Sequence, residues 1–313
     1  MDRVALHTLT PLDERVTATF EALPKAKLRA ALIGGGIQES RTPWMHMAEG
    51  ARLGLDYAYA LIDFDALGLA EDASEAVLTL AARHGLAGLN VTHPFKQSII
   101  PHLDALSAEA AAIGAVNTIV FAGGKAIGHN TDCWGFAEAF RSAMEGARLD
   151  RVLLIGAGGA GKAVARALCD LGARHIDIFD LDPERSAILA ASLNSAPRAH
   201  GAAVAHDVAE AASLATGLVN TTPVGMAKYP GMPVPSDALR RDLWVADIIY
   251  FPETTALLIA ATAAGSRTMA GRGMAVFQAV RAFELITGRQ ADAQAMFRHF
   301  TSAMSAHDPG SAN

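Results

Sequence analysis

The sequence predicts an α/β protein of two domains, with a mixed sheet in the N-terminal α/β domain and a doubly wound, parallel sheet in the other. The chain has 313 residues, which is enough for two domains that each bury a core. Short apolar runs alternate with helical patterns, an order that favours βαβ units. A Gly-x-Gly-x-x-Gly motif begins at Gly156, directly after one of these runs.

The composition indicates a compact, soluble protein that acts on a small molecule. Hydrophobic residues make up 51% of the chain and charged residues 19%, which is typical of a folded protein. The net charge of -6 comes without a cluster of Lys or Arg, so nucleic acid and anionic membranes are poor candidate partners. With two cysteines, no leader pattern and no apolar run of about 18 residues, we expect a cytoplasmic location and no transmembrane helix.

A loop with two hydroxyl side chains follows the first predicted strand. Residues 28–33 predict a strand that ends at three consecutive glycines. Ser40 and Thr42 follow, and in an extended chain side chains two residues apart point to the same side. Because Pro43 suits the first turn of a helix, either hydroxyl could instead cap that helix. Residues 57–62 predict a second strand, and residues 71–83 a helix.

Polar groups are also expected at the end of the next strand. Residues 86–91 form an apolar run, and Pro94 cannot continue a β-ladder. This places Asn90, Thr92 and Lys96 at a strand end, where side chains of an α/β domain can converge on a ligand. A lone Lys is more often a solvated surface residue, so Lys96 by itself carries no assignment.

A hairpin leads to a further polar cluster. The predicted strands 115–121 and 125–128 are separated by a Gly-Gly pair, which favours a tight turn. The second strand runs into the polar residues 129–132. Asp132 is a candidate reactive group and equally a candidate N-cap of the helix that begins near Trp134, and one role does not exclude the other.

The glycine motif has the context that nucleotide binding requires. It follows the apolar run 152–155 and opens a helix rich in helix-forming residues. Gly156 permits a tight turn, Gly158 lets the backbone approach a pyrophosphate, and Gly161 allows close packing of the helix on the strand. The N–H groups at the start of the helix are donors to phosphate. These features predict a Rossmann domain that binds a dinucleotide.

The end of the next strand carries the residues that decide between NAD and NADP. Residues 175–179 predict a strand, and Asp180 and Asp182 follow it. A carboxylate about twenty residues beyond the glycines accepts a hydrogen bond from the ribose 2′-hydroxyl and repels a 2′-phosphate, which favours NAD. Asp182 competes with Asp180 for this role, since one of them can cap the helix that starts at Pro183. Arg185 argues the other way, because an Arg here can accommodate a 2′-phosphate.

Two further strand ends and one helix complete the candidate site. Residues 218–226 and 244–250 each combine an apolar strand with a polar or turn segment, and in a doubly wound fold both reach the carboxyl edge of the sheet. Residues 275–287 predict a helix with one apolar face, and Gln278 projects from nearly the opposite side. By pattern alone Gln278 is solvated. The tail beyond about residue 306 is expected to fray.

Taken together, these motifs resemble the shikimate dehydrogenase family, and more closely its NAD-dependent quinate/shikimate dehydrogenase branch. The resemblance extends from Leu32 to about Gly288, with the motifs in the same order. It rests on Ser40-Arg-Thr42-Pro43, Asn90-Val-Thr92-His-Pro-Phe-Lys96, Gly114-Ala-Val-Asn117-Thr118, Gly128-His-Asn130-Thr131-Asp132, Gly156-Ala-Gly158-Gly-Ala-Gly161, Asn220-Thr-Thr-Pro-Val-Gly225-Met226, and Gly273-Met274 to Gln278. Five of these seven are specific to the family rather than to Rossmann proteins in general.

The resemblance implies two domains with different tasks. Residues 1–132 with 273–313 are expected to form the substrate-binding catalytic domain, and residues 133–272 the Rossmann NAD-binding domain, with the reaction in the cleft between them. Lys96 and Asp132 match the catalytic pair of the family. The positions that match substrate contacts are Ser40, Thr42, Thr92, Asn117, Tyr250 and Gln278. The positions expected at the cofactor are Gly156, Ala157, Gly158, Gly159, Ala160, Gly161, Asp180, Thr221, Pro223 and Gly273. No residues with metal-ligand spacing appear, so no metal is expected.

The implied reaction is the oxidation of a ring secondary alcohol. Hydride leaves carbon for the nicotinamide while a proton leaves oxygen, so the protein has to align both and take the proton. Lys96 either accepts that proton or anchors the hydroxyl by its charge, and a carboxylate such as Asp132 nearby would keep the lysine charged. Thr42, where a second Ser is usual, and Asp180, where NADP-dependent members carry a basic loop, both resemble the NAD-dependent branch. We therefore expect oxidation of quinate to 3-dehydroquinate and of shikimate to 3-dehydroshikimate, with NAD favoured over NADP.

Three alternatives stay open. One is an NAD-dependent enzyme that acts on shikimate or aminoshikimate and scarcely on quinate, a difference that pocket shape decides. Another is a non-catalytic regulatory module on the same fold, which the presence of both Lys96 and Asp132 disfavours. The third is a dehydrogenase of another substrate class, which the ordered polar motifs disfavour. The sequence leaves open whether the protein is a monomer or a homodimer.

Overall fold

The computed structural model describes residues 11–195 and 201–305, which fall into two compact units. The described residues of the first unit lie within Met1–Ala112, Val116–His129 and Ala282–Asn313, and those of the second within Ile113–Ala115 and Asn130–Arg281. Residues 273–281, which the resemblance groups with the first domain, fall in the second unit. The predicted fraying beyond residue 306 lies outside the described residues.

Strands and helices alternate along most of the chain. The strands are β1 (Leu28–Gly34), β2 (Tyr57–Asp63), β3 (Gly88–Val91), β4 (Ala105–Leu106), β5 (Thr118–Ala122), β6 (Lys125–His129), β7 (Val152–Ile155), β8 (His175–Phe179), β9 (Gly201–Val204), β10 (Gly217–Asn220), β11 (Trp244–Asp247) and β12 (Thr268–Met269). The helices are α1 (Pro11–Ala22), α2 (Thr42–Arg52), α3 (Phe64–Leu67), α4 (Ser74–Arg83), α5 (Phe95–Ser98), α6 (Ala108–Ile113), α7 (Asp132–Ala143), α8 (Gly159–Asp170), α9 (Pro183–Asn194), α10 (Val208–Leu214), α11 (Ala256–Ala263), α12 (Arg272–Thr287) and α13 (Ala293–Ser305).

The first unit contains a mixed, six-stranded sheet in the order β2-β1-β3-β5-β6-β4. Strand β1 runs parallel to β2 and β3, whereas β5 is antiparallel to β3 and β6. Alternate residues of β1 face opposite sides, so that Ala31 and Ile33 pack into one core cluster and Ala30 and Leu32 into another. Both faces of the sheet are therefore covered, which explains why β1 is apolar and buried from Ala30 to Gly34.

The second unit contains a parallel, six-stranded sheet in the order β12-β11-β10-β7-β8-β9. From β7 the chain adds β8 and β9 on one side and then β10, β11 and β12 on the other. This is the strand order of a doubly wound Rossmann sheet, whose ligand crevice lies at the carboxyl ends of the strands where the order reverses. Strands β7 and β10 flank that point, so the loops after Ile155 and Asn220 lie there.

Some predicted boundaries are shifted by contacts that the local pattern does not reveal. Strand β3 begins at Gly88 rather than 86, because the N–H of Leu86 donates to the carbonyl of Ala81 at the end of α4. Lys96, predicted at a strand end, lies inside the short helix α5. Strand β5 begins at 118 rather than 115, and α12 at Arg272 rather than 275. The predicted hairpin is confirmed, since β5 and β6 pair antiparallel around two glycines with positive φ.

Candidate active site

The glycine loop between β7 and α8 has the backbone geometry of a tight turn. Gly156 has φ +101°, a region that residues with a side chain rarely adopt, and its N–H donates to the carbonyl of Phe179. A Cβ on Gly161 would collide with the carbonyl of Gly156, so α8 packs directly on the turn. Around Gly158, by contrast, nothing lies within 4 Å of an added Cβ. The loop is thus open where the N–H groups of the 12-residue helix α8 begin.

The side chain of Thr221 holds this loop from the end of β10. Its hydroxyl lies 2.8 Å from the carbonyl oxygen of Ile155 and 2.9 Å from that of Gly156. Thr221 is half-buried, and Pro223 is exposed. The structure therefore brings Thr221 against the glycine loop. The remaining predicted cofactor residues of the loop and the first turn of α8 are Ala157, Gly159 and Ala160.

Asp180 and Asp182 have different partners, which separates their two possible roles. Asp180 Oδ2 accepts a hydrogen bond of 2.7 Å from the N–H of Ala157 in the glycine loop, and its Oδ1 accepts one of 2.9 Å from the N–H of Asp182. Asp182 Oδ1 accepts from the N–H of Glu184 at 3.1 Å and so caps α9. Asp182 is the helix cap, and Asp180 is the carboxylate at the glycine loop.

Two cations lie near Asp182 and the start of α8. Arg185 Nε is 3.3 Å from Asp182 Oδ2, and both side chains are largely exposed. The pKa of Lys162, in the first turn of α8, is lowered by burial and by the positive charge of Arg185. Lys162 and Arg185 are therefore close enough to repel each other, and a negative group between them would relieve that repulsion.

A buried polar cluster joins the ends of β10 and β11. Asp247 Oδ1 accepts from Asn220 Nδ2 at 3.2 Å and from the N–H of Ile249 at 3.0 Å, and its Oδ2 accepts from Thr255 Oγ1 at 2.7 Å. Burial raises the pKa of Asp247 to about 6, although the three hydrogen bonds act to lower it. Asn220 Nδ2 also donates to the carbonyl of Val224, so the cluster shapes the loop after β10. The single Asp in an apolar strand is the sequence signal for this cluster.

Helix α7 begins at Asp132, but the side chain that caps it is that of Asn130. Asn130 Oδ1 accepts from the N–H of Asp132 at 3.1 Å and from that of Cys133 at 3.2 Å, and its Nδ2 donates to the carbonyl of Ala115 at 3.0 Å. Of the two candidate roles of Asp132, that of N-cap does not apply, because the backbone of Asp132 already belongs to the helix. The carboxylate of Asp132 is buried at the first turn of α7.

Helices α7 and α12 are in close contact at a glycine. A Cβ on Gly135 would lie 2.7 Å from the backbone nitrogen of Gln278 and 3.0 Å from the carbonyl oxygen of Met274. Gln278 is half-buried rather than solvated, and its Nε2 donates to the carbonyl of Ala275 at 3.1 Å. Gly273, also half-buried, lies in the first turn of α12. Within the second unit, Asp132 and Gln278 thus lie on two helices that touch.

In the first unit, backbone hydrogen bonds bring three predicted site residues together. The N–H of Val116 donates to the carbonyl of Lys96 at 2.7 Å, which ties α5 to the residue before Asn117. The carbonyl of Asn117 accepts from the N–H of Val91 at 2.8 Å. Thr92 follows Val91 directly, and its carbonyl accepts from the first residue of α5 at 2.9 Å. Thr92, Lys96 and Asn117 therefore lie on neighbouring segments that are bonded to each other.

The loop with the two hydroxyls lies against the segment that carries Thr92. A Cβ on Gly34 would collide with the Thr92 methyl group, and the N–H of Gly35 donates to the carbonyl of His93 at 3.0 Å. Ser40 Oγ accepts a long hydrogen bond of 3.4 Å from the N–H of Thr42 at the start of α2. The capping alternative for Ser40 is thus met only by a weak contact.

Asp63 is a residue of this loop region that the sequence analysis missed. Its carboxylate accepts from the N–H groups of Gly36 at 2.9 Å and Ile37 at 3.0 Å, and from Gln38 Nε2 at 2.9 Å. Burial alone would raise the pKa of Asp63, but the hydrogen bonds from Gln38 and from backbone N–H groups outweigh it, and the pKa is lowered. An Asp that ends a strand was the available signal, but it predicts only a local cap.

The predicted site residues are divided between the two units. The first unit holds Ser40, Thr42, Thr92, Lys96 and Asn117. The second holds Asp132, Tyr250 and Gln278 together with all of the predicted cofactor positions, and Tyr250 is half-buried just beyond β11. Within residues 11–195 and 201–305, no group of three His, Cys, Asp or Glu side chains could hold a metal ion. No helix of that part of the chain has the length and apolar character needed to cross a bilayer.

The protein combines a doubly wound sheet that has a glycine loop with a mixed sheet in a separate unit, which places it in the class of two-unit Rossmann proteins. Comparison with known proteins identifies the family within this class. The family description "Shikimate dehydrogenase substrate binding domain" matches residues 32–119, and "Shikimate 5'-dehydrogenase C-terminal domain" matches residues 271–296. Shikimate dehydrogenase (NADP(+)) of Streptomyces avermitilis is 49% identical over 267 residues, which cover 85% of this chain and 92% of that protein.

The NAD-dependent branch is also represented among the relatives. Quinate/shikimate dehydrogenase (NAD(+)) of Corynebacterium efficiens is 42% identical over 275 residues, which cover 87% of this chain and 96% of that protein. The solved structure of quinate dehydrogenase from Corynebacterium glutamicum in complex with NAD is 40% identical, with a TM-score of 0.80 over 88% of this chain and 99% of that one. The chain belongs to the shikimate dehydrogenase family. The predicted family and fold class are confirmed.

Proposed function

We propose that the protein is an NAD-dependent dehydrogenase that oxidises a ring secondary alcohol of quinate, of shikimate or of both, to give 3-dehydroquinate or 3-dehydroshikimate. The observation that carries the choice of NAD is the Asp180 carboxylate, 2.7 Å from the N–H of Ala157 in the glycine loop. A carboxylate at this point accepts a hydrogen bond from the ribose 2′-hydroxyl and repels a 2′-phosphate. The NAD named with the Corynebacterium glutamicum quinate dehydrogenase supports the same choice.

The second unit has the groups that a dinucleotide needs. The open space at Gly158 and the start of α8 suit a pyrophosphate, and Thr221 keeps the loop in its turn. The residues that would hold the cofactor are Gly156, Ala157, Gly158, Gly159, Ala160, Gly161, Asp180, Thr221, Pro223 and Gly273. When bound, NAD supplies the hydride acceptor.

The substrate groups follow from the family's motifs. Ser40 and Thr42 would bind the carboxylate of a hydroxy acid, and Thr92, Asn117, Tyr250 and Gln278 would bind ring hydroxyls. Lys96 and Asp132 would act on the hydroxyl that loses its proton, with Lys96 as proton acceptor or as the charge that anchors the oxygen. The half-buried position of Lys96 and the buried position of Asp132 support a role for both beyond surface solvation.

A second candidate is an NADP-dependent shikimate dehydrogenase. Two observations favour it: the relative from Streptomyces avermitilis, at 49% identity, is named for NADP(+), and Lys162 and Arg185 repel each other near the start of α8. A 2′-phosphate would be attracted by this pair of cations. Asp180 opposes it, and on that ground we place NAD first.

The cellular location, the kind of partner and the oligomeric state stay predictions from the sequence. We keep a cytoplasmic location, a small-molecule partner rather than nucleic acid or a membrane, and a monomer or homodimer.

The catalytic assignment is tested by Lys96→Ala in the full chain. We expect turnover of quinate and shikimate to fall by a factor on the order of 10² to 10⁴, with NAD binding, followed by fluorescence titration, unchanged. Lys125→Ala, at an exposed position in the β5–β6 hairpin, is the control and should keep wild-type turnover. Near-normal turnover of Lys96→Ala would refute the role of Lys96, and loss of NAD binding would show that its effect is not confined to the substrate.

A further inference from the structure

A chain of four buried polar side chains crosses the sheet of the first unit and ends at Asn117. Tyr59 Oη donates to Asn90 Oδ1 at 2.7 Å. Asn90 Nδ2 donates to Thr118 Oγ1 at 3.1 Å, and Thr118 Oγ1 donates to Asn117 Oδ1 at 3.2 Å. Each hydrogen bond leads to the next residue, so the four groups form one continuous path.

The strand register explains how these residues come together. Tyr59 of β2 pairs with Ala30 of β1, and Asn90 of β3 pairs with Leu32, two residues further along β1. Asn90 in turn pairs with Thr118 of β5. Directly paired residues, and residues two apart on one strand, point to the same face of a sheet.

The four hydrogen-bonded side chains are all shielded from water. The exposed fractions are 9% for Tyr59, 3% for Asn90, 0% for Thr118 and 3% for Asn117. Buried polar groups that are left without a partner are costly, and each interaction in a low-dielectric interior is stronger than in water. The orientation of each amide in the chain is therefore fixed by its neighbours rather than by solvent.

The chain also has a direction, which begins at the phenol. Burial, and the proximity of Tyr57, raise the pKa of Tyr59 well above its ordinary value, so the phenol keeps its proton. That proton is donated to Asn90 Oδ1, and Asn90 presents its Nδ2 to Thr118. Since Thr118 Oγ1 accepts from Asn90, its own proton is directed to Asn117 Oδ1. The amide of Asn117 thus has its oxygen toward Thr118 and its NH₂ group turned away.

We propose that Tyr59 is a positioning residue for substrate binding, which acts through Asn90 and Thr118 to orient Asn117 so that its NH₂ group donates to an oxygen of the ring substrate. The proposal rests on the proposed function, in which Asn117 contacts a ring hydroxyl. The orientation of Asn117 means that the ring hydroxyl of the substrate accepts a hydrogen bond from this residue. The proton of that substrate hydroxyl is then left to donate to another group.

The protein contains a matched control residue for Tyr59. Tyr57 is on the same strand, is equally buried, and directs its hydroxyl to His46 Nδ1 at 3.0 Å rather than into the chain. Both Tyr57→Phe and Tyr59→Phe delete one buried hydroxyl from the same core. A kinetic difference between the two variants is therefore due to the broken hydrogen-bond path and not to the loss of a buried hydroxyl.

The experiment is a double-mutant cycle in the full-length protein, with steady-state kinetics on quinate and shikimate. Tyr59→Phe should lower kcat/KM for the substrate about tenfold, the equivalent of one hydrogen bond, mainly through KM. The KM for NAD and the kinetics of Tyr57→Phe should stay within about twofold of wild type. In an Asn117→Ala background, Tyr59→Phe should change kcat/KM by less than about twofold, because its effect passes through Asn117.

A further variant tests the direction of the amide. Asn117→Asp keeps an oxygen for Thr118 but offers no NH₂ group, so it should lose substrate affinity as strongly as Asn117→Ala. Wild-type affinity in Asn117→Asp would show that an oxygen faces the substrate and would overturn the proposal.

The outcomes of the cycle are distinct. Equal losses from Tyr59→Phe in both backgrounds would show a general structural effect and overturn the positioning role. A loss in Asn117→Ala without any loss in Tyr59→Phe would overturn the positioning role and leave the Asn117 contact in place. No loss in Asn117→Ala would overturn the substrate contact itself and the inference with it.

Discussion

Gly135 of α7 and Gln278 of α12 approach so closely that a Cβ on the glycine would lie 2.7 Å from the backbone nitrogen of the glutamine. Real Cβ atoms do not approach a backbone atom to that distance, so a side chain at 135 would force the two helices apart. Gln278 is a predicted substrate contact on one helix, and Asp132 starts the other. The glycine therefore sets the position of both residues relative to each other within the second unit.

Gly135→Ala is expected to lower kcat/KM for the substrate about tenfold or more, because a misplacement of about 1 Å is enough to disturb such contacts. It should also reduce the free energy of unfolding by about 1–3 kcal/mol through overpacking, although Ala by itself favours a helix. The exposed Ser142→Ala on the same helix is the control and should leave the kinetics unchanged. Unaltered kinetics in Gly135→Ala would contradict the role given to this contact.

The cofactor preference should depend on Asp180 and not on Asp182. In Asp180→Asn the charge at the glycine loop is lost, and we expect the ratio of kcat/KM for NADP to that for NAD to rise about tenfold or more. Asp182→Asn removes an equal charge two residues away, at the cap of α9 and beside Arg185, and should shift this ratio less than Asp180→Asn does. A larger shift in Asp182→Asn than in Asp180→Asn would reverse the assignment of the two carboxylates.

His46 should make the stability of the protein sensitive to acid. Its ring is buried among Tyr57, Tyr59 and Phe283, its Nε2 has no hydrogen-bond partner among the described residues, and burial lowers its pKa from 6.5 to about 3. Between these values the unfolded chain binds a proton that the folded protein does not. The contribution of His46 to the free energy of unfolding should therefore fall by about 1.4 kcal/mol per pH unit as pH decreases from 6.5 towards 3.

Urea denaturation at pH values between 4 and 8 checks this slope. The amide of Gln does not titrate and still offers an oxygen to Tyr57. In His46→Gln the slope of the free energy of unfolding against pH should therefore be lower than in wild type by the contribution of one titrating proton. The exposed His206→Gln should retain the full wild-type slope. Equal slopes in wild type and His46→Gln would show that His46 is not the responsible group.

Asp247 should have the opposite dependence on pH. Its folded pKa of about 6 lies above the ordinary 3.8, so the folded protein binds the proton more tightly than the unfolded chain does. Stability from this group is present at low pH and is lost as pH rises from 3.8 through 6, by roughly 3 kcal/mol in total. Asp247→Asn keeps an acceptor for Asn220 and does not titrate. Relative to wild type, this variant should therefore gain stability as pH rises from 4 to 7, and a constant difference between the two would contradict the assignment.

The fold could be predicted largely because its strands are short buried runs with strong boundaries. In the second unit, the run 152–155, the glycines after it and the run 175–179 are local features, and the strands match them. The first turn of α7 shows where local patterns fail. Asn130 and Asp132 are equally good capping residues, and only the backbone conformation selects Asn130.

The candidate site was predictable where residue types are bound to a motif and not where partners are distant in sequence. Thr92 and Lys96 are part of one motif. Asp63, in contrast, organises a loop 25 to 27 residues away, and Tyr59 bonds to Asn90 across 31 residues. Such partners depend on strand order and register, which a single sequence does not contain.

The activity proposed for the protein is the oxidation of quinate or shikimate with NAD. The most direct test is the initial rate of reduction of NAD and of NADP, each measured with quinate and with shikimate over a range of substrate concentrations. We predict higher kcat/KM with NAD than with NADP, and measurable oxidation of quinate as well as shikimate. Activity confined to NADP would contradict the role of Asp180, and an enzyme that oxidises neither acid with either cofactor would contradict the proposed function as a whole.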